Sequence, residues 1–272
     1  MSASESKDCI SAEIVKTSLY PVGKIMKVIQ SILSEIKNID ETAGVLLTGS
    51  SVDKNIRSHR KDIDLIIISE VPRKVFLSYL RDGLGKFVEI IDGSIRLSLN
   101  RKEVGMVCFS ESILGKKVEY LLNFRQMDLS YKTWAIGAEF PEGFLGDLLN
   151  SVILSDSPNL YGVKVKQKIR EKRKELFEKL CTKTLNDLTT RLTQINKALL
   201  EGDSLSYQIL LSDILVLLVR LSYVEEESFC CGVKHFEYKI PRKHFVPRII
   251  QDILSKPKTA VIKTKEVLQY YG

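Results

Sequence analysis

The sequence predicts an α+β protein: a mixed β-sheet domain with flanking helices, followed by a C-terminal helical-bundle domain. Three observations carry that expectation. Short β-branched runs alternate with helical stripes up to about residue 110. Beyond that point long helical periodicity takes over and strand signals become few. Between residues 87 and 109 three strand-like runs follow one another across tight connections, which implies at least one antiparallel pair. We place the division so that residues 1–157 form the α/β part and residues 158–272 the helical part.

The elements follow in order. From Val22 to Lys37, apolar Val22, Ile25, Met26, Ile29, Ile32, Leu33 and Ile36 recur at helical spacing and make one stripe. AGVLLTG at 43–49 and DIDLIIIS at 62–69 are short, bounded apolar runs and read as strands. Pro72 suits a helix start, and Val75, Phe76, Tyr79 and Leu80 continue it to Gly83 and Gly85. Strands return with FVEIID at 87–92, SIRLSLN at 94–100 and VGMVCF at 104–109. Helical stripes then run through Ile169, Leu176, Phe177 and Leu180, through Leu185 to Leu199, and through the apolar stretch Leu205–Tyr223, with Gly202-Asp203 separating two of them. A last helix is expected over Thr259–Tyr270.

Composition narrows the class. Of 272 residues 44% are hydrophobic and 28% charged, with 15 Gly and 7 Pro, which excludes a disordered or collagen-like chain. Lys and Arg exceed Asp and Glu by 41 to 34, a net +7 that favours a phosphate-bearing ligand without demanding a polynucleotide. The start, MSASESKDCI, lacks a basic stretch followed by an apolar run, and the expectation is a cytoplasmic chain. The five cysteines lack zinc-type spacing and read as free thiols. The apolar run Ile214–Val219, between Asp213 and Arg220, falls short of the ~20 residues a bilayer requires, so no membrane contact is expected.

Chemistry concentrates in residues 48–65. An apolar strand ends in Gly49-Ser50, and after eleven intervening residues the next strand begins Asp62-Ile63-Asp64. Alternation puts Asp62 and Asp64 on one side of that strand. Two converging carboxylates are what a hard divalent cation such as Mg²⁺ needs, and the ion keeps positions open for substrate phosphates. A glycine lets backbone amides approach a phosphate with no Cβ in the way, and a serine adds a hydroxyl.

The arrangement of apolar strand, Gly-Ser, a spacer near ten residues and Asp-x-Asp resembles the nucleotidyltransferase fold shared by DNA polymerase β, kanamycin nucleotidyltransferase and the minimal nucleotidyltransferases. The resemblance covers residues 22–110. It implies an NTP held through Mg²⁺ by Asp62 and Asp64, with Gly49, Ser50 and Ser51 on the triphosphate. It implies a third acid on KEVGMVCF at 102–109, where the aligned residue is Gly105. Glu103, two residues away on the same strand face, is the candidate to substitute in catalysis, and Glu89 is a weaker alternative. A fainter resemblance, to the helical domain of aminoglycoside-type enzymes, rests on Trp134, Pro141-Glu142, Leu154-Ser155-Asp156, Tyr223, Phe229 and Gly232-Val233-Lys234, and makes Lys234 a candidate for the triphosphate.

The implied activity is transfer of a nucleoside monophosphate, AMP foremost, from an NTP to an acceptor hydroxyl with release of pyrophosphate. The acceptor is a small molecule or a tRNA or other RNA end. The alternative is a catalytically weak nucleotide- or RNA-binding regulator, motivated by Gly105. Basic residues from Lys164 to Lys183 and around Arg242, Lys243, His244 and Arg248 suit a solvated face or an RNA backbone. The Leu205–Tyr223 stripe is most simply bundle core, and its surplus width leaves room for a homodimer surface.

Overall fold

The computed structural model describes residues 24–49, 52, 62–84, 89–91, 94–99, 102–123, 142–229 and 244–272. The chain divides into two compact units. One comprises Met1–Val52, His59–Leu114 and Ser151–Lys164, the other Asp53–Ser58, Gly115–Asn150 and Val165–Gly272.

The first unit holds a six-stranded sheet. Its strands are β1 (Gly44–Thr48), β2 (Ile63–Ile68), β3 (Glu89–Ile91), β4 (Ser94–Leu99), β5 (Lys102–Phe109) and β6 (Val152–Ser155), in the order β3-β4-β5-β2-β1-β6. Only β2 and β5 run parallel; every other neighbouring pair is antiparallel. A parallel pair needs a crossover, and the chain between β2 and β5 contains helix α2 (Arg73–Leu84) and the hairpin β3-β4. Helix α1 (Lys24–Ile39) precedes β1, and its Val28, Ile29, Ile32 and Ile36 are buried at the spacing the sequence predicts.

Alternation sorts the sheet into two faces. Val45, Leu47, Ile63, Leu65, Ile67, Ile95, Leu97, Val104, Met106 and Cys108 join the α1 stripe and Phe76, Leu77 and Leu80 of α2 in one apolar core. Each large aliphatic side chain so buried contributes about 1.5–3 kcal/mol. Burial pushes the Cys108 thiol up to about 12, aided by Asp40 and opposed by Arg73, so this free cysteine behaves as a small hydrophobe.

Strands β1 to β5 and helices α1 and α2 fall where the sequence places them. β6 is an addition. Its four residues are too few to show a period, yet they pair with β1 and cover its outer edge. Immediately after it Asp156 accepts from the backbone N–H of Gly162 at 2.8 Å and of Val163 at 3.1 Å, which caps the start of α5 (Tyr161–Glu201).

The second unit is helical. Besides α5 from Val165 onward and the later part of α3 (Glu111–Leu122), it holds α4 (Glu142–Asn150), α6 (Ser204–Glu225), α7 (Phe245–Ser255) and α8 (Ala260–Tyr271). The stripes from Ile169 to Leu199 belong to one uninterrupted helix, α5. It ends at Gly202, φ +71°, with the Asp203 N–H bonded to the Ala198 carbonyl at 3.0 Å. That is a six-to-one closure needing a left-handed residue, and Asp203 then caps α6 through the Ser206 N–H. Helix α7 was not anticipated, because Pro247 in its first turn interrupts the pattern although proline is tolerated there.

Helix α6 departs from the expectation of a short apolar run. Over an 18-residue window its mean hydropathy is 1.6, so by length and composition it could cross a membrane. Its Ile214, Leu217, Leu218, Val219, Leu221 and Tyr223 lie in the bundle core with residues of α5, α7 and α8. The two charges within its apolar stretch, half-exposed Asp213 and buried Arg220, both have partners. Asp213 pairs with Arg191 at 3.2 Å, and Arg220, only 1% exposed, holds Glu142 of α4 at 2.5 Å and 3.1 Å. Such a pair is buried because its charges satisfy one another; removing one partner strands the other.

Candidate active site

The strand register assembles the site within the first unit. Thr48 of β1 stands opposite Asp64 of β2, Asp64 beside Gly105 of β5, Gly105 opposite Arg96 of β4, and Arg96 opposite Glu89 of β3. Residues in register share a face, so one rung across five strands carries Thr48, Asp64, Gly105, Arg96 and Glu89. This face is opposite to the apolar core. At one end it is buried, with Leu46, Ile66 and Ile68 at 4% exposure or less. At the other end it opens, with Asp62, Asp64 and Gly105 half-buried and Arg96, Ser98 and Glu103 exposed.

Asp64 is seated between two glycines. Gly49 follows β1 with φ +67°, and its carbonyl accepts from the Val52 N–H at 3.3 Å, so the chain turns sharply as it leaves the strand. A Cβ on Gly49 would lie 3.0 Å from Asp64 Cγ and 3.2 Å from Asp64 Cβ. A Cβ on Gly105 would lie 2.9 Å from Asp64 Oδ1. Gly49 therefore needs glycine twice, for the space that Asp64 Cβ and Cγ take and for its positive φ, whereas a methyl at Gly105 would press only on a carboxylate oxygen that can turn aside.

Asp62 immediately precedes the first paired rung, Ile63 with Val104, just as Glu103 precedes Val104 on β5. Continuing the alternation puts Asp62 and Glu103 on the Asp64 face, one step toward its open end. Glu103 is paired in register with Ser98. Among the described residues no three His, Cys, Asp or Glu side chains gather closely enough to hold one metal ion. Glu89 lies three strands from Asp64, about 14 Å at the usual strand spacing, which is too far to serve as a third acid.

The remaining sequence candidates are placed differently. Ser50, Ser51 and Lys234 lie outside the described residues, as do the basic cluster Arg57, His59, Arg60 and Lys61, Trp134, and Arg242 and Lys243. Glu142 and Tyr223 belong to the helical core. Asp156 is committed to its backbone donors. Four of the nine basic residues in the run Lys164–Lys183 of α5 are ion-paired: Lys168 pairs with Glu119, Lys172 and Lys179 with Glu175 at 3.2 and 2.6 Å, and Lys183 with Asp187 at 3.4 Å. Surface pairs of this kind contribute about 0–1 kcal/mol each. The residue the sequence reading passed over is Arg96. Its signal was the alternation Ile95-Arg96-Leu97, which aims the cation away from the core.

No protein-family model matches the chain, and no curated protein matches it. Among solved structures it is similar to a nucleotidyltransferase-like protein from Exiguobacterium sibiricum 255-15, with 15% identity over 90% of this chain and 75% of the other, and a TM-score of 0.45.

Proposed function

We propose that the chain is an Mg²⁺-dependent nucleotidyltransferase that moves a nucleoside monophosphate, AMP foremost, from an NTP to an acceptor hydroxyl and releases pyrophosphate. The observation that carries this reading is the seat of Asp64 between the glycines of a sharp turn and of a neighbouring strand, with Asp62 two residues before it. An all-oxygen donor pair on a rigid strand suits a hard cation, and the bare Gly49 turn leaves room for phosphate oxygens. Asp62 and Asp64 would hold the Mg²⁺, which when bound supplies charge neutralisation for the phosphates.

In the reaction the acceptor oxygen bonds to the α-phosphorus as the bond to pyrophosphate breaks. The hydroxyl proton passes to a carboxylate, and exposed Glu103 on the same face is the group we assign to take it. The acceptor is a small hydroxylated molecule or an RNA end. Catalysis of this type is mainly positioning and electrostatics, which is why Gly49, which seats the Asp64 side chain, matters as much as the acids.

Gly105 favours a second reading, a protein that binds nucleotide without turning it over, because the residue beside Asp64 carries no carboxylate. The two readings part in one experiment. The full chain is incubated with Mg²⁺, each labelled NTP, and cell extract separated into small-molecule and RNA fractions. Transfer that disappears in Asp62→Asn supports the transferase; nucleotide binding with no transfer in any fraction supports the binder. Absence of both transfer and nucleotide-induced thermal stabilisation, which should be about 2.7 kcal/mol at a hundredfold excess over Kd, refutes both.

A further inference from the structure

We infer that Arg96 is a phosphate-binding residue of this face, recognising the polyphosphate chain of a nucleoside triphosphate beside Asp64; the inference rests on the transferase reading for its ligand and deepens it. Arg96 stands on the same rung as Asp64, two strands away, with Gly105 between them. That separation is about 10 Å between backbones. On most strands the intervening position would carry a side chain that fills the gap. Here it carries only hydrogen, and the Asp64 carboxylate reaches over it, with Oδ1 2.9 Å from where a Cβ would stand, so no side chain separates that carboxylate from the arginine's strand.

Three properties make Arg96 more than a solvated cation on a strand. It is exposed while its chain neighbours Ile95 and Leu97 are buried at 0% and 2%, so its direction is fixed by the pleat. Among the described residues its guanidinium is in no salt bridge, so no described carboxylate neutralises its charge. Its register partners are Glu89 on β3 and Gly105 on β5, with Ser98 and Glu103 the next rung along the open face, so on the side toward Asp64 the adjoining position is a bare glycine.

The charge pattern supplies the physical reason. Asp62, Asp64 and Glu103 by themselves repel a polyphosphate. A fixed guanidinium on the same face offsets that repulsion, and its planar fork matches two oxygens of a phosphate. A rung with glycine and arginine where a further acid was expected thus shifts part of the anion's neutralisation from a metal ion to the protein itself.

The consequence is measurable without activity. Binding of inorganic tripolyphosphate and of a non-hydrolysable ATP analogue to the full chain is followed by calorimetry, in Mg²⁺ and in EDTA. Arg96→Gln is expected to weaken both probes at least tenfold in EDTA, Arg96→Lys to recover part of that loss, and Arg81→Gln, which removes the same charge from α2, to leave both affinities within twofold. The inference is overturned if Arg96→Gln binds both probes within twofold of the parent, if Arg81→Gln weakens them equally, or if the parent binds neither. Arg96-dependent binding with no NMP transfer keeps the inference and removes the transferase reading. Asp62-dependent transfer that is indifferent to Arg96 does the reverse.

Discussion

Replacing Gly49 by alanine perturbs the candidate site at the point where backbone and carboxylate meet. The residue has φ +67°, and a side chain in that left-handed region costs about 1–2 kcal/mol. The new methyl would also lie 3.0 Å from Asp64 Cγ and 3.2 Å from Asp64 Cβ, against the ~3.5–4.0 Å of normal carbon contacts. Rotating the carboxyl group moves its oxygens but cannot move Cβ, so the end of β2 has to shift as well. A misplacement of ~1 Å in a positioning-dominated site costs roughly a hundredfold in rate. The expected outcome is a fall in Tm of about 2–8 °C together with a roughly hundredfold loss of NMP transfer. Gly105→Ala is the internal control: its methyl meets only Asp64 Oδ1, at 2.9 Å, with no positive φ, and a turn of the carboxyl relieves it. Scanning fluorimetry with and without Mg²⁺-ATP and single-turnover label transfer read both variants. A Gly49→Ala protein that keeps its Tm within 1 °C and its transfer rate within twofold would refute the reasoning, as would a Gly105→Ala protein that is the less stable of the two.

Further outcomes follow from the helical unit. Glu142→Ala leaves the Arg220 guanidinium buried without its carboxylate and should cost about 3–5 kcal/mol in urea unfolding, whereas Glu142→Leu with Arg220→Met should recover most of it; equal losses in the single and double variants would contradict this. Gly146→Ala would place a methyl 2.7 Å from Phe229 Cβ and should cost about 1–3 kcal/mol, read as a lower denaturation midpoint. Burial raises the Glu225 carboxyl above its ordinary value, outweighing the lowering by the Tyr271 hydroxyl and His244. A raised folded pKa gives a contribution that is full below the ordinary 4.5 and is lost as pH rises through the folded value. Glu225→Gln keeps an acceptor for Tyr271 and removes the charge, so it should raise Tm at pH 8 and leave it unchanged at pH 4; a drop at pH 8 would show the charge to be favourable.

Much of the first unit was legible because its strands announce themselves by composition. Ile63, Leu65 and Ile67 alternate with Asp64 and Ile66, and that period alone assigns Asp62 and Asp64 to one side. The resemblance put Gly105 where a third acid is implied, and the register sets that residue beside Asp64. What sequence could not supply is cross-strand distance. Glu89 is nearer than Glu103 to Asp64 along the chain, yet strand order puts β5 against β2 and β3 two places farther out. Arg96 was overlooked for the same reason: Asp64, whose rung it shares, is 32 positions away in sequence and is reached only through the ladder. In the helical part the signal that failed was continuity. Stripes at Ile169–Leu180 and Leu185–Leu199 lie on one helix whose polar residues merely shift the stripe.

The late return of the chain to the sheet has a consequence for synthesis. Five strands emerge by residue 109, but the strand that covers the outer edge of β1 ends at Ser155. During that interval a nascent chain presents an unpaired row of amides and carbonyls along Val45, Leu46 and Leu47, an apolar template to which another polypeptide can add. Release of a product stopped before Val152 would make that vulnerability permanent, so truncated forms should gather into aggregates while the full-length chain stays dispersed.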